Sequence, residues 1–335
     1  MAEFINMNTL STIEYIPGDA LTAFQMIENE AEKALCLSEY CLMRESFEEA
    51  EKYLQQALQT HRSGVRAYAL RLSISMGTTL GKTANCQKRE KELSSMAEEG
   101  EDSLLVWIEK TAIYDTLFAP GTYYEQIRHL HKLDMSMLSD GVRLRCLFIY
   151  CSWLFNSGRL KEIIAVRRSL HFMMDGRSFP LPFGCILIQS AIAFDSLRMK
   201  GKAVQDIKTA CDFLQPDGFT YPFVLSAMFL SEDMVDHIAR RWPECAARIR
   251  AAYKEYIPNR IRRHNQITGN SLSFELTRRE REVAALCAAG LSNKMIADDL
   301  HISANTVRAI LHSVFYKLGI EKRTDLKNYV FYFEM

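Results

Sequence analysis

The sequence is poor in the residues that interrupt helices. Fifteen Gly and eight Pro are spread through 335 residues, and runs of β-branched residues are scarce, so the composition reads helical and not fibrous or low-complexity. Net charge is absent too, with 41 Lys and Arg against 41 Asp and Glu. Paired cysteines are missing. The nine cysteines stand singly, with no CxxC pair and no Cys/His cluster at metal-ligand spacing, which excludes a disulfide scaffold and a zinc-ribbon site. Cys36/Cys41 and Cys146/Cys151 lie in apolar helical runs, where a free thiol packs as a small hydrophobe and fits a reducing compartment. The longest apolar run, Cys146 to Phe155, is too short to cross a bilayer, and the N-terminus lacks a basic-then-apolar signal pattern. The expectation is a cytoplasmic chain without a membrane partner.

What is present is a globular composition, 48% apolar and 24% charged, on a chain long enough for two or three domains of about 100–200 residues. The balanced charge hides an uneven distribution. Residues 238–264 carry Arg240, Arg241, Arg248, Arg250, Lys254, Arg260, Arg262 and Arg263 against Glu244 and Glu255, a net of +6, whereas residues 1–237 carry −7. An acidic body followed by a basic collar is the footprint of a tethered polyanion binder, or equally a solvated helix face.

Turn signals recur near Glu45–Ser46, Gly81–Lys82, Pro120–Gly121, Ser157–Gly158 and Gly201–Lys202, at intervals of 36 to 43 residues. Between them apolar residues fall at i, i+3, i+4 and i+7, as on amphipathic helices. Ala34-Leu35-x-Leu37 followed by Phe47, Ala50, Leu54 and Ala57 is the clearest pair, and it resembles a tetratricopeptide-type helical hairpin. Ser38 stands where that repeat usually has Gly, and Cys41 where it has Tyr. Gly77-Thr-Thr-Leu-Gly81-Lys82-Thr83 superficially suggests a phosphate loop. It has three residues where the loop needs four, Met76 at the first-glycine position, and a helical stretch upstream instead of a strand. It reads as a hairpin turn. Aromatic residues at Trp107, Tyr114, Phe118, Tyr123, Tyr124, Phe179 and Phe183 read chiefly as core and alternatively as the lining of a groove. His129-x-His131 is no helical ligand pair, because positions two apart face different sides. No catalytic residue, cofactor or metal site is expected.

After Tyr256 the texture changes. Ile257-Pro258-Asn259 reads as a helix break, and the Arg/Asn-rich stretch to Gly269-Asn270 as an interdomain linker. In the last 65 residues, Thr277-Arg-Arg-Glu280 forms a capping box, Gly290 suits a helix C-terminus, and Ser292 and Ser303 suit the N-caps of helices over about 292–300 and 303–318. Two short helices separated by His301-Ile302 have the layout of a helix-turn-helix. At 100° per residue, Val307, Leu311, Val314 and Leu318 gather within roughly 60° of one another, while Asn305, Arg308, Ala309, His312 and Tyr316 lie roughly 150° away. Such a polar face, with a small residue in it, suits a major groove.

The motifs Leu276-Thr-x-Arg-Glu-x-Glu-Val283, Gly290-Leu-Ser-Asn-Lys294, Ile296-Ala297, Leu300-x-Ile-Ser303, Thr306-Val-Arg308, Lys317-Leu-Gly319 and Arg323-Thr-Asp-Leu326 resemble the LuxR-type DNA-binding domain over about 60 residues. The resemblance implies four helices, the third in the major groove and the last often a dimer contact. Carried across, it implies that Arg308, Ala309 and His312 face bases. Ser292, Asn293, Lys294, Thr306, Lys317 and Arg323 would be phosphate or groove-edge contacts. Ile310 stands where the family often has His, and by its angle it packs beside the buried stripe. Tyr329, Val330, Tyr332 and Phe333 in the final helix would form a dimer patch or cover the unit's own core. The order of helical repeats and DNA-binding domain, with Phe213-Leu-Gln-Pro-Asp-Gly-Phe219 through Pro222-Phe223, also resembles the C-terminal half of the large maltose-regulon-activator-like regulators.

The expectation is therefore an all-α chain: an N-terminal tail (1–25), a tetratricopeptide-like α-hairpin array that senses a signal (26–256), a basic polar linker (257–270), and a four-helix LuxR-type domain (271–335). Its expected partners are double-stranded DNA, a second copy on paired half-sites, RNA polymerase, and an unidentified small-molecule or protein effector at the repeats. The rival reading is a helical-repeat interaction protein that acts through another regulator and binds DNA weakly, which the near-neutral charge of 271–335 keeps open. A nucleotide hydrolase would rest on the imperfect loop alone.

Overall fold

The computed structural model describes residues 6–99, 103–112, 135–173, 178–269, 273, 276–320, 322–324 and 326. Among them are seventeen α-helices and no β-strand. The antiparallel pairs expected from the turn spacing are Glu30–Met43 with Phe47–Ala57, Ser63–Thr79 with Thr83–Ser95, Asp140–Asn156 with Leu160–Met173, and Pro180–Ser196 with Lys200–Leu214. Within the first pair, the Ser38 hydroxyl donates to the Ala50 carbonyl at 2.8 Å, so this small residue lets the two helices approach closely.

Each reversal passes through a left-handed residue: Glu45 (φ 62°), Gly81 (φ 73°), Gly158 (φ 67°) and Arg198 (φ 60°). The fourth turn therefore precedes Gly201, which lies inside Lys200–Leu214. The expected turn at Pro120–Gly121 is outside the described residues, as are Tyr114, Phe118, Tyr123, Tyr124, His129 and His131. Gly77 sits within the Ser63–Thr79 helix and Gly81 just beyond it, the geometry of a hairpin end with no strand feeding it. Phe179 and Phe183 are buried in the core, and Trp107 packs against it.

The early and late parts of this body are tied together. Glu45 would be strained in its left-handed conformation, but its carboxylate accepts from Thr220 Oγ1 at 2.8 Å and Arg248 Nη2 at 2.6 Å. Gly18 N–H donates to Asp217 Oδ2 at 2.7 Å, Thr220 N–H to the Met43 carbonyl at 3.0 Å, and Thr79 Oγ1 lies 2.6 Å from Tyr221 Oη.

Two expectations need correction. The first 25 residues are no free tail from residue 6 on: Met7, Leu10, Tyr15, Ala20 and Phe24 are buried, and Ser11 Oγ donates to Glu39 Oε1 at 2.5 Å. Met7, Leu10 and Tyr15 precede the short helix Ala20–Phe24, whose buried side is Ala20 and Phe24. Nor is 257–270 a polar linker. Ile257–Thr268 is a helix whose Pro258 lies in the first turn and whose C-cap is Gly269 at φ 71°. Proline lacks the N–H that a first turn leaves unpaired anyway, so here it starts a helix. Arg260, Arg263 and His264 are buried, Asn259 Nδ2 donates to the Thr79 carbonyl at 3.0 Å, and Arg263 pairs with Glu90.

Much of the basic collar is engaged within the fold, although Arg240, Arg241, Arg250, Lys254 and Arg262 stay exposed. Arg241 pairs with Asp212 at 3.0 Å, Arg248 with Glu45 and Glu255, and Arg250 with Asp236 at 2.7 Å. Arg260 donates to the Leu225 carbonyl at 2.6 Å. The acidic excess of residues 1–237 supplies many of these partners, so part of the collar serves the fold. The nine cysteines are free thiols, eight of them buried, and burial pushes Cys146 and Cys151 up to about 12.

Candidate nucleic-acid interface

Among the described residues, the C-terminal unit contains three helices: Arg278–Ala288, Asn293–Asp299 and Ala304–Leu318. The first begins in the expected capping box, with Glu280 N–H donating to Thr277 Oγ1 at 3.2 Å and Thr277 N–H to Glu280 Oε2 at 2.7 Å. It ends at Gly290, whose φ of 95° an L side chain would resist. The second is capped by Ser292, which accepts from Met295 N–H at 3.3 Å. The third is capped by Ser303, which accepts from Thr306 N–H at 3.0 Å. Between them His301 takes φ 52° and the Ile302 N–H donates to the Ala297 carbonyl at 3.0 Å, which turns the chain sharply. Arg279 Nη2 satisfies the Leu300 carbonyl at the end of the second helix, at 2.8 Å.

Packing orients the third helix. Val307, Leu311, Val314 and Leu318 are buried with Val283, Ala284, Cys287, Ile296, Ala297 and Leu326. Ile310 is half-buried and packs against this core. Arg308, Ala309 and His312 are exposed on the opposite side, with Asn305 and Thr306, and Tyr316 is 67% exposed. On the neighbouring helix Ser292 and Lys294 are exposed, and Met295 is 55% exposed.

The other three residues expected at a groove edge have internal partners. Lys317 Nζ lies 2.8 Å from Glu280 Oε2. Arg323 Nη1 donates to Asn293 Oδ1 at 2.6 Å, and its Nη2 to the Leu291 carbonyl. Tyr329, Val330, Tyr332 and Phe333 lie outside the described residues.

Glu280 is the organiser that its capping role alone did not reveal. Besides Thr277 and Lys317, it accepts from Ser313 Oγ at 2.6 Å. Burial acts to raise its pKa, but the hydrogen bonds from Lys317, Ser313 and Thr277 win and hold it down to about 2. Its partners on the third helix lie 33 and 37 residues away, beyond the reach of any local motif.

Two capped helices joined by a tight turn, the second packed by one stripe and bare on the other, define a helix-turn-helix DNA-binding unit. Residues 275–330 match the family described as bacterial regulatory proteins, luxR family. The chain is 31% identical over 75 residues to the HTH-type transcriptional regulator MalT of Cronobacter sakazakii and to that of Yersinia enterocolitica, 22% of this chain and 8% of each relative. It is 43% identical over 51 residues to the monoamine regulon transcriptional regulator of Klebsiella aerogenes, 15% of this chain and 22% of that protein. The chain thus aligns with under a quarter of the length of these relatives. No solved structure matches it. The resemblance to bacterial regulatory proteins of the luxR family is thus carried by the C-terminal helix-turn-helix unit. Among the described residues no helix is long and apolar enough to cross a membrane.

Proposed function

We propose that this regulator reads a specific operator through the exposed face of the Ala304–Leu318 helix. Arg308 and His312 meet base edges in the major groove, and Ala309 leaves room for the groove wall. Ser292, Lys294 and Thr306 meet phosphates and fix the register. Lys317, Asn293 and Arg323 act first as braces, through Glu280 and the Leu291 carbonyl, and touch the backbone only at the edge. The observation that carries the reading is the exposure of Arg308, Ala309 and His312 together, directly opposite the buried stripe. Two copies bind paired half-sites, one helical turn or a multiple of it apart. The tetratricopeptide-like body receives a signal and alters how the two units align.

The test is in vitro selection from a random duplex library with the full chain. An enriched palindrome supports the reading, and loss of information at one base pair with Arg308→Ala assigns that residue. Enrichment of an unpaired half-site counts against the dimer. An unenriched library counts against autonomous operator reading and favours action through a partner.

A further inference from the structure

Helices Asp140–Asn156, Pro180–Ser196 and Tyr221–Leu225 help to wall a cavity of about 150 Å³ in the body. Much of the wall is apolar, with Phe148, Phe155, Ile188, Leu225 and Phe229. An apolar space of that size admits a molecule about as large as benzene.

Charged side chains also reach the wall, and each has its partners within the body. Arg145 Nη2 donates to Glu109 Oε1 at 2.6 Å, and Arg71 Nε pairs with the same carboxylate at 2.8 Å. Glu39 accepts from Ser11 Oγ and Tyr68 Oη, both at 2.5 Å. Arg260 donates to the Leu225 carbonyl at 2.6 Å and is engaged further. The wall therefore asks for no counter-ion, and a charged occupant would give up its hydration without return. An uncharged one avoids that cost.

Gln189 is different. Its Nε2 donates to Ser152 Oγ at 2.6 Å, and that hydroxyl donates onward to the Phe148 carbonyl at 3.2 Å. This chain of donors sets the amide nitrogen towards Ser152 and turns Oε1 away from it. Oε1 is buried without a hydrogen-bond partner. Buried acceptors are rarely left in that state, and an O–H carried in by an occupant would complete it.

We infer that this cavity binds a small uncharged alcohol or phenol, with an aromatic body and roughly six to nine heavy atoms in all. The ring packs on the phenylalanines, and the hydroxyl donates to Gln189 Oε1. The inference rests on the reading of the body as a signal receiver, for which it names the class of ligand. Occupancy is felt at the DNA-binding unit through Arg260, which lines the same cavity and belongs to Ile257–Thr268, the last described helix before that unit.

Calorimetric titration of the full chain at neutral pH, without DNA, compares phenol and benzyl alcohol with toluene and ethylbenzene, which have the same shapes and no donor. Saturable one-to-one binding of at least one hydroxyl compound is expected. Gln189→Leu should weaken that compound roughly tenfold relative to its hydrocarbon, through loss of one hydrogen bond. Benzoate, which is charged, should bind far more weakly. Ile188→Phe and Leu225→Phe fill the cavity from two different helices, and either one, shown to be folded by its thermal transition, should abolish binding. If no hydroxyl compound binds, if Gln189→Leu leaves the preference unchanged, or if benzoate binds as tightly, the ligand class is wrong. If a folded, filled variant still binds, the location is wrong. Because no DNA is present, failure here leaves operator reading standing, whereas a failed library selection leaves this titration interpretable.

Discussion

Lys317 Nζ and Glu280 Oε2 lie 2.8 Å apart, joining the last turn of the third helix of the DNA-binding unit to the first turn of its first helix. The carboxylate also holds Thr277 and Ser313, so one side chain sets the tilt of the helix that carries Arg308. Glu280→Gln keeps the size and removes the charge. It should destabilise this unit by about 1.5–3 kcal/mol, the range for hydrogen bonds to charged groups, measured as a shift of its calorimetric transition in the full chain.

The same group gives a pH dependence with a definite sign. Its folded pKa of about 2 lies below the ordinary 4.5, so between those values the unfolded chain binds the proton and the folded one does not. The stabilisation is fully present above about 4.5 and is lost as pH falls towards about 2. Acid titration of the wild type should show this loss, and Glu280→Gln should flatten it. Parallel acid slopes for the two proteins would disprove the assignment.

On DNA, Arg308→Ala should cost about 1–3 kcal/mol on the preferred site and relax one base position. Lys294→Ala should weaken all sequences alike and reduce the salt slope by about 1. Binding isotherms at two or more salt concentrations separate these outcomes.

In the body, Glu109 is shared by Arg145 and Arg71, and both guanidiniums lie over the Tyr68 ring at 4.3 and 4.7 Å. Glu109→Gln leaves two buried cations short of their counterion. A loss of about 3–5 kcal/mol is expected, as for removal of one partner from a buried pair, read from the denaturant midpoint.

Gly141 is packed against the N-terminal segment so tightly that a Cβ there would lie 1.9 Å from the Thr12 carbonyl oxygen. Gly141→Ala forces backbone apart and should cost about 1–3 kcal/mol, as overpacking does. Faster proteolysis within residues 6–20 would accompany it, because this is the contact that breaks.

Much of the DNA-binding unit was legible without coordinates, because its signals are local. Capping boxes, N-cap serines and the terminal glycine act within four residues of themselves, and the spacing of Val307, Leu311, Val314 and Leu318 dictates which side of the helix is buried. The internal ties of Lys317 and Arg323 were not legible, since their partners come from other helices and a basic side chain near a groove looks the same whether it is braced or open. In the body, periodicity foretold the paired helices and three of the turns. It misread residues 6–25, where a helix of only five residues, Ala20–Phe24, is too short to show a period, and 257–268, where Pro258 marks the start of a helix instead of an end to structure.

The sequence by itself determined that the chain is helical, that its last part carries a helix-turn-helix, and which face of the third helix is bare. Those properties follow from backbone propensity and from burial on one side of a helix, and neighbours three and four residues apart suffice to specify them. Only the tertiary structure decided which arginines of the 238–264 segment are consumed in ion pairs, and that Glu45 meets Arg248 across 203 positions. Charge in a chain has no destination until folding brings the partners within a few ångströms, and these partners are set by packing and not by spacing.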